Sequence, residues 1–195
     1  MKRVLVIDDH EPSRARLSAI LRECGYEVAG EVATGKSAVV FAQAKNPDVI
    51  LMAVGLPDID GIQAAEEIVH AKPLPIVLVT SHYDAETIER AKGAGVMGYL
   101  VKPVRAEELR PTIELALSRF QQFALLREEN STLKETLEAR KIIERAKGLL
   151  MEQRKLSEEQ AYSLIKKASM NMRKPMSDVA QAILLAGGLL AGDKR

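Results

Sequence analysis

Val4-Leu5-Val6-Ile7-Asp8-Asp9 is the stretch on which the reading of this 195-residue chain turns. Four aliphatic residues in a row, three of them β-branched, do not alternate with polar ones. That pattern belongs to a strand covered on both faces, as in a parallel sheet, and the two acids mark its end. Working outward, Leu17, Ile20, Leu21 and Cys24 recur at helical spacing, and Gly25 stops that helix. Tyr26 to Val32 reads as a second strand and Ser37 to Ala44 as a helix. Asp48 to Val54 is the most apolar strand, followed by a helix from Gly61 to Ala71. Pro75 to Thr80 is a fourth strand, Asp84 to Gly93 a helix, Gly98 to Val101 a short fifth strand, and a fifth helix starts at Ala106. Pro111 lies just past the first turn of that helix, where a local kink is expected. Five strand–helix repeats predict an α/β fold, a doubly wound five-stranded parallel sheet with helices on both faces.

Ligands on such sheets sit beyond the carboxyl ends of the strands, at the switch in strand order. Asp8-Asp9 lie there after strand one, Ala53 at strand three, Thr80-Ser81 after strand four and Lys102-Pro103 after strand five. Taken singly, each would merely solvate a loop. Together they converge two carboxylates, a hydroxyl and an ammonium on one rim. Hard carboxylate oxygens suit Mg²⁺, and a lysine beside a threonine suits the oxygens of a phosphoryl group.

On these residues, with Leu56-Pro57-Asp58-Ile59-Asp60-Gly61 and Tyr99, residues 1–118 resemble a response-regulator receiver domain of flavodoxin-like fold. The resemblance implies that the acidic pair holds Mg²⁺, that Lys102 contacts a phosphoryl group, and that Thr80 and Tyr99 shift together as a switch. It also implies a cis peptide at Lys102-Pro103 and a sensor histidine kinase as partner where the phosphoacceptor is aspartate. Here the acceptor position is Ala53, which has no nucleophilic oxygen. No acyl phosphate forms on it, and Mg²⁺ binding at Asp8 and Asp9 is expected to be weak. A degenerate receiver and an engineered phosphorylation-null substitution both explain Ala53. Asp58 and Asp60 are expected to cap the helix after Gly61 rather than to accept phosphate.

The last third reads differently. No Gly or Pro interrupts the chain from Pro111 to Gly148. Phe123, Asn130 and Leu137 are spaced by seven, as are Leu126, Leu133 and Arg140, an a/d seam that predicts a coiled-coil linker over 119–141 and a homodimer. Asn130 at an a position favours a parallel two-stranded register. Over 142–195 three helical segments predict a small all-α bundle. Ile142, Ile143, Ala146, Leu149 and Leu150 carry the long helix to about Arg154. Ser157 to Gln160 is a capping box for the second, and Pro175 with the cap Ser177 opens a third that Gly187-Gly188 ends.

The chain's net charge of +1 hides a division. Residues 1–118 carry a net −4 and residues 119–195 a net +5, which suggests a polyanionic partner for the second part. Glu144-Arg145-Ala146-Lys147-Gly148-Leu149-Leu150-Met151, then Ser157 with Gln160-Ala161-Tyr162, Ala168-Ser169-Met170, and Asp178-Val179-Ala180 with Ile183-Leu184 resemble an ANTAR domain, the RNA-binding output of AmiR/NasR-type antiterminators. The resemblance implies binding of tandem RNA hairpins through their loops. RNA is read by sequence mainly where its bases are unpaired, and phosphates are held by cations. Arg145, Lys147, Tyr162, Lys166, Arg173 and Lys174 are the expected contacts, with the ring of Tyr162 equally suited to completing the small core. Ala146, Leu150, Ala161, Ala168 and Ala180 are expected to be structural.

The remaining features bound the answer. With 47% hydrophobic residues the chain has material for a core, while 4% aromatic residues and no Trp argue against an aromatic-cage surface. Cys24 alone makes neither an internal disulfide nor a cysteine zinc site, as suits a reducing cytosol. Met1-Lys2-Arg3 leads into too short an apolar run for a signal peptide. No run approaches a membrane span, Ala182 to Ala191 being nearest. A cytoplasmic protein is expected. His10, His70 and His82 lack metal-ligand spacing and no nucleophile–base pair presents itself, so an independent enzyme is not expected. A DNA-binding regulator and a protein-interaction adaptor are the competing readings. No helix-turn-helix recognition helix is evident for the first. For the second, the basic face would be incidental.

Overall fold

The computed structural model describes residues 1–81 and 84–192, with side chains described through residue 186. His82 therefore lies outside the described residues. The chain forms two compact units, Met1–Ala124 and Leu125–Arg195.

The first unit alternates strand and helix: β1 Arg3–Ile7, α1 Glu11–Glu23, β2 Glu27–Val32, α2 Gly35–Lys45, β3 Val49–Ala53, α3 Gly61–Ala71, β4 Ile76–Thr80, α4 Ala85–Gly93 and β5 Gly98–Val101. All pairings are parallel, in the order β2-β1-β3-β4-β5. The aliphatic runs are continuous because both faces are buried. Val4, Val6, Val49, Leu51, Val77 and Val79 pack under Leu17 and Leu21 of α1 and under Leu109, Ile113 and Ala116 of the next helix. Leu5, Ile7, Ile50, Met52, Ile76 and Leu78 pack under Ala38 and Ala42 of α2 and Ile62, Ala65 and Ile68 of α3. Each strand thus sends alternate side chains to opposite layers. α4 contributes no buried residue.

The element ends follow their caps. Gly25, at φ +84°, turns the chain out of α1, and Thr34 accepts the Ser37 N–H at the start of α2. Asp60 caps α3 by accepting the Ile62 N–H at 3.0 Å. Asp58 does not share that task. Its carboxylate accepts the N–H groups of Gly35 (2.7 Å) and Lys36 (2.9 Å) and so caps α2, across 22 or more residues of sequence. The N-terminal amides of α2 lack helical acceptors, and the folded loop brings Asp58 to them.

α5 runs without interruption from Ala106 to Arg154, through Pro111. Its end joins α6 Glu158–Met172 and α7 Met176–Gly192 around Ala146, Leu150, Ala161, Ile165, Val179 and Ala180. The Ser157/Gln160 capping box of α6 forms in both directions. Ser177 is not the cap of α7. The carbonyl of Pro175 already accepts the N–H groups of Asp178 and Val179, which places Ser177 in the first turn. Nor does Gly187-Gly188 end α7, which continues to Gly192. Two glycines inside a helix cost about 1 kcal/mol each relative to alanine, too little to break it when good helix formers follow.

Candidate functional site

The carboxyl ends of β1, β3, β4 and β5 form one rim. Register fixes the levels: Ile7 pairs with Met52, Ala53 with Val79 and Thr80 with Val101. Asp8 therefore stands level with Ala53, Thr80 one residue further along the rim and Lys102 one beyond that. Asp8 is fully buried. Its Oδ1 accepts the His10 N–H at 3.0 Å, and Lys102 Nζ lies 2.6 Å from Oδ2. Arg14 Nη1 donates to the Asp8 carbonyl at 2.6 Å. Asp9 is exposed. The peptide between Lys102 and Pro103 is cis, as the resemblance implied. A cleft of about 530 Å³ opens over this rim, lined by Asp9, His10, Ala53, Thr80, Ser81 and Lys102 among others. Thr80 also lines a smaller, mostly apolar cavity of about 190 Å³ beside Tyr99, whose ring is 55% exposed.

The loop after β3 is pressed against this rim. Gly61 donates its N–H to the Val54 carbonyl at 2.8 Å, and a Cβ on Gly61 would stand 2.0 Å from the Ala53 carbonyl oxygen. A Cβ on Gly35 would meet the Ile59 side chain at 2.4 Å. Both glycines are required by close approach. The two loop acids are committed elsewhere, Asp58 to the amides of α2 and Asp60 to Ile62 and to an ion pair with Arg90. The N–H of Lys36, foremost among its backbone donors, lowers the Asp58 carboxyl to about 2.

Receiver domains use Mg²⁺ in phosphorylation. In this chain the donor set for it is two adjacent carboxylates, one already neutralised by an ammonium, with a methyl group at residue 53. Among the described residues no cluster of three His, Cys, Asp or Glu side chains could hold a metal. These residues do not fit a resident Mg²⁺.

The second unit carries the other candidate surface. Arg145, Tyr162, Lys166, Arg173 and Lys174 are all exposed. Tyr162 is 45% exposed, so its ring does not complete the core. Tyr162, Lys166 and Arg173 fall at i, i+4 and i+11, along one side of α6 and its cap. Lys147 is placed differently from the other basic residues. Only 6% of it is exposed, and its Nζ donates to Glu158 Oε1 at 2.7 Å and to both oxygens of Glu144 at 3.0 Å. These two carboxylates, Glu158 first, hold the ammonium above its ordinary pKa. An i, i+3 acid and the first turn of α6 enclose this side chain, which the local sequence could not show. Lys167 is exposed beside Lys166 and was not among the expected contacts.

Comparison with known proteins finds a family for each part of the chain, the second match beginning within the expected linker. Residues 4–114 match the response regulator receiver domain, and residues 131–184 match the ANTAR domain. The chain is 44% identical over 183 residues to the transcriptional regulatory protein PdtaR of Mycobacterium tuberculosis, covering 94% of this chain and 89% of that protein. It is 34% identical over 113 residues to the response regulator protein VraR of Staphylococcus aureus, covering 57% of this chain and 54% of that one. Among solved structures, the signal receiver domain of a modulated diguanylate cyclase from Desulfovibrio desulfuricans superposes with a TM-score of 0.59 at 35% identity. That match covers 63% of this chain and 98% of that one.

Proposed function

The chain belongs to the response regulators, as a receiver followed by an ANTAR domain, and from that premise we propose that it is an RNA-binding transcription antiterminator whose output does not depend on phosphorylation of its receiver. The observation that carries the reading is the surface of α6. From Gln160 to Ser177 there is no Asp or Glu, while Lys166, Lys167, Arg173 and Lys174 all lie exposed. None of the four pairs with a carboxylate among the described residues. Unneutralised cations on one short helix suit the phosphates of an RNA loop, and Tyr162 supplies a ring on which an unpaired base stacks. We therefore assign RNA contact to Arg145, Tyr162, Lys166, Lys167, Arg173 and Lys174. Lys147 braces α6 against α5, its ammonium already held by two acids.

Two further features support the reading. In the receiver, Ala53 occupies the phosphoacceptor position and Lys102 neutralises Asp8 directly, so a sensor kinase has no aspartate to charge there. Along α5, Phe123, Leu126, Asn130, Leu133 and Leu137 are all exposed. An apolar stripe of that period suits a second copy of the chain. The flanking charges favour a parallel pair. Glu129 at a g position would face Lys134 of the second copy at e, whereas antiparallel packing would set Arg127, Lys134 and Lys141 against one another. Two linked bundles would engage two hairpins, each raising the effective concentration of the other.

The test is binding of the full chain to an RNA with two tandem hairpins, beside a duplex DNA of equal length, across a salt series, with mass by light scattering. RNA-selective binding by a dimer, unchanged by a phosphate mimic, is the expected result. Equal or tighter binding to the duplex would overturn it in favour of a DNA-binding regulator. RNA binding that appears only in Ala53→Asp with the mimic would overturn the claim of independence from phosphorylation.

A further inference from the structure

Met170 is among the most exposed large apolar side chains of the described residues, at 68%. It lies on the side of α6 opposite the buried Ala161 and Ile165, where an amphipathic helix ordinarily places a polar residue. Its helical neighbours at i−4 and i−3 are Lys166 and Lys167, and Arg173 and Lys174 follow it at the C-terminal cap of the helix. All four are exposed cations, and no acid interrupts them. The last two stand at the helix end. Arg173 is the C-cap, at φ 52° in the left-handed region, with its N–H bonded to the Met170 and Ser169 carbonyls. Lys174 is tied back by its carbonyl, which accepts the Ser169 hydroxyl at 2.5 Å. The turn therefore ties the backbone of both basic residues to the last turn of α6, the turn that carries Met170.

A lone methionine in water gains nothing by sitting in such a ring, and the four like charges repel one another. Both features become favourable against a partner that presents negative charge around an apolar, polarisable face. An unstacked nucleobase flanked by its own phosphates has that composition. We propose that Met170 is a contact and specificity-determining residue, its thioether packing on one unpaired base of an RNA loop while Lys166, Lys167, Arg173 and Lys174 hold the neighbouring phosphates. The proposal rests on the RNA reading above and adds to it the residue that distinguishes an open loop from a duplex. A paired base offers no free face, so cations alone would bind stem and loop alike.

The experiment uses the full chain and a tandem-hairpin RNA chosen by that chain from a pool with randomised loops, against the same stems closed into a continuous duplex. Met170→Gln keeps length and helix propensity but replaces the thioether with an amide, and Met170→Leu keeps the apolar contact. Met170→Gln should weaken binding to the loop RNA about 10-fold, leave duplex binding within about 2-fold and leave the salt dependence unchanged. Met170→Leu should bind within about 3-fold of the native chain. Lys166→Gln should instead weaken both RNAs and reduce the salt slope. If the native chain binds loop RNA selectively and Met170→Gln does so equally well, Met170 is a bystander and the proposal falls alone. If the native chain enriches no hairpin RNA from the pool, the RNA reading falls and the proposal with it. If it binds vesicles of phosphatidylserine and phosphatidylcholine, and only that binding is lost in Met170→Gln, the surface meets a membrane and the proposal is overturned.

Discussion

Gly61 and Asp58 show how single residues hold the receiver's rim in shape. The Gly61 backbone crosses so close to the end of β3 that any side chain would strike the Ala53 carbonyl. The obstacle is main chain and cannot rotate away. Gly61→Ala should cost about 2–3 kcal/mol in urea unfolding, the upper range for overpacking. A change no larger than the few tenths typical of a surface site would show that the loop yields. Asp58 is tested by acid. Its folded carboxyl titrates at about 2, below the roughly 3.9 of an unfolded aspartate. The charged form is the one favoured by folding, so this contribution is complete above about pH 5 and is lost as pH falls from about 4 toward 2. The side-chain carboxyl resonance of Asp58 should move with a midpoint near 2. Asp58→Asn should remove that part of the acid unfolding profile, and a midpoint near 4 would contradict the α2 capping role.

At the scale of elements, α5 is the least self-sufficient. Over Phe123 to Leu137 it is a single exposed helix with an apolar stripe and no core beneath it among the described residues. Helix propensity and i, i+3 pairs such as Glu138–Lys141 contribute only a few tenths of a kcal/mol each. Leu133→Asp should therefore convert a dimer to a monomer in light scattering at micromolar concentration and lower the helical circular dichroism of this segment, while the receiver's unfolding transition stays in place. A native chain that is monomeric at the same concentration would remove the basis for pairing. α6 differs, being fastened at both ends by its capping box and by the Ser169–Lys174 bond. The rigid frame lets its outer face carry four uncompensated cations.

At the scale of the whole molecule, charge and fold separate together, a net −4 over residues 1–118 and +5 over 119–195. If Arg145 and the four cations of α6 and its C-terminal turn each release a counterion from single-stranded RNA, log K should fall against log salt with a slope of about −3.5 for one engaged bundle. Two bundles on a tandem hairpin should approach twice that value, and one hairpin should return the single slope. A slope near −1 would mean that most of these cations never meet phosphate.

The two-unit plan was legible in the sequence because it rests on periodicity and local chemistry. Uninterrupted aliphatic runs of four to seven residues, rich in β-branched side chains and bounded by acids or glycines, read as strands covered on both faces, and Ser157 with Gln160 reads as a helix start. Asp8, Thr80 and Lys102 share a rim because strand ends in a parallel sheet have no other place to be. What the linear order left open was every pairing set by packing between distant segments. It could not show that Asp58 reaches back to α2, that Lys102 closes on Asp8, or that Lys147 turns inward between Glu144 and Glu158 while Lys166 and Tyr162 stay outside. It also placed the ends of α7 wrongly, since Pro175 offers its carbonyl a turn earlier than the Ser177 signal suggests and glycines inside a helix do not stop it. Periodicity states which face of an element is buried, and so the sequence by itself determined the elements and their order. Which charge meets which depends on distances between elements, and only the tertiary structure decided those.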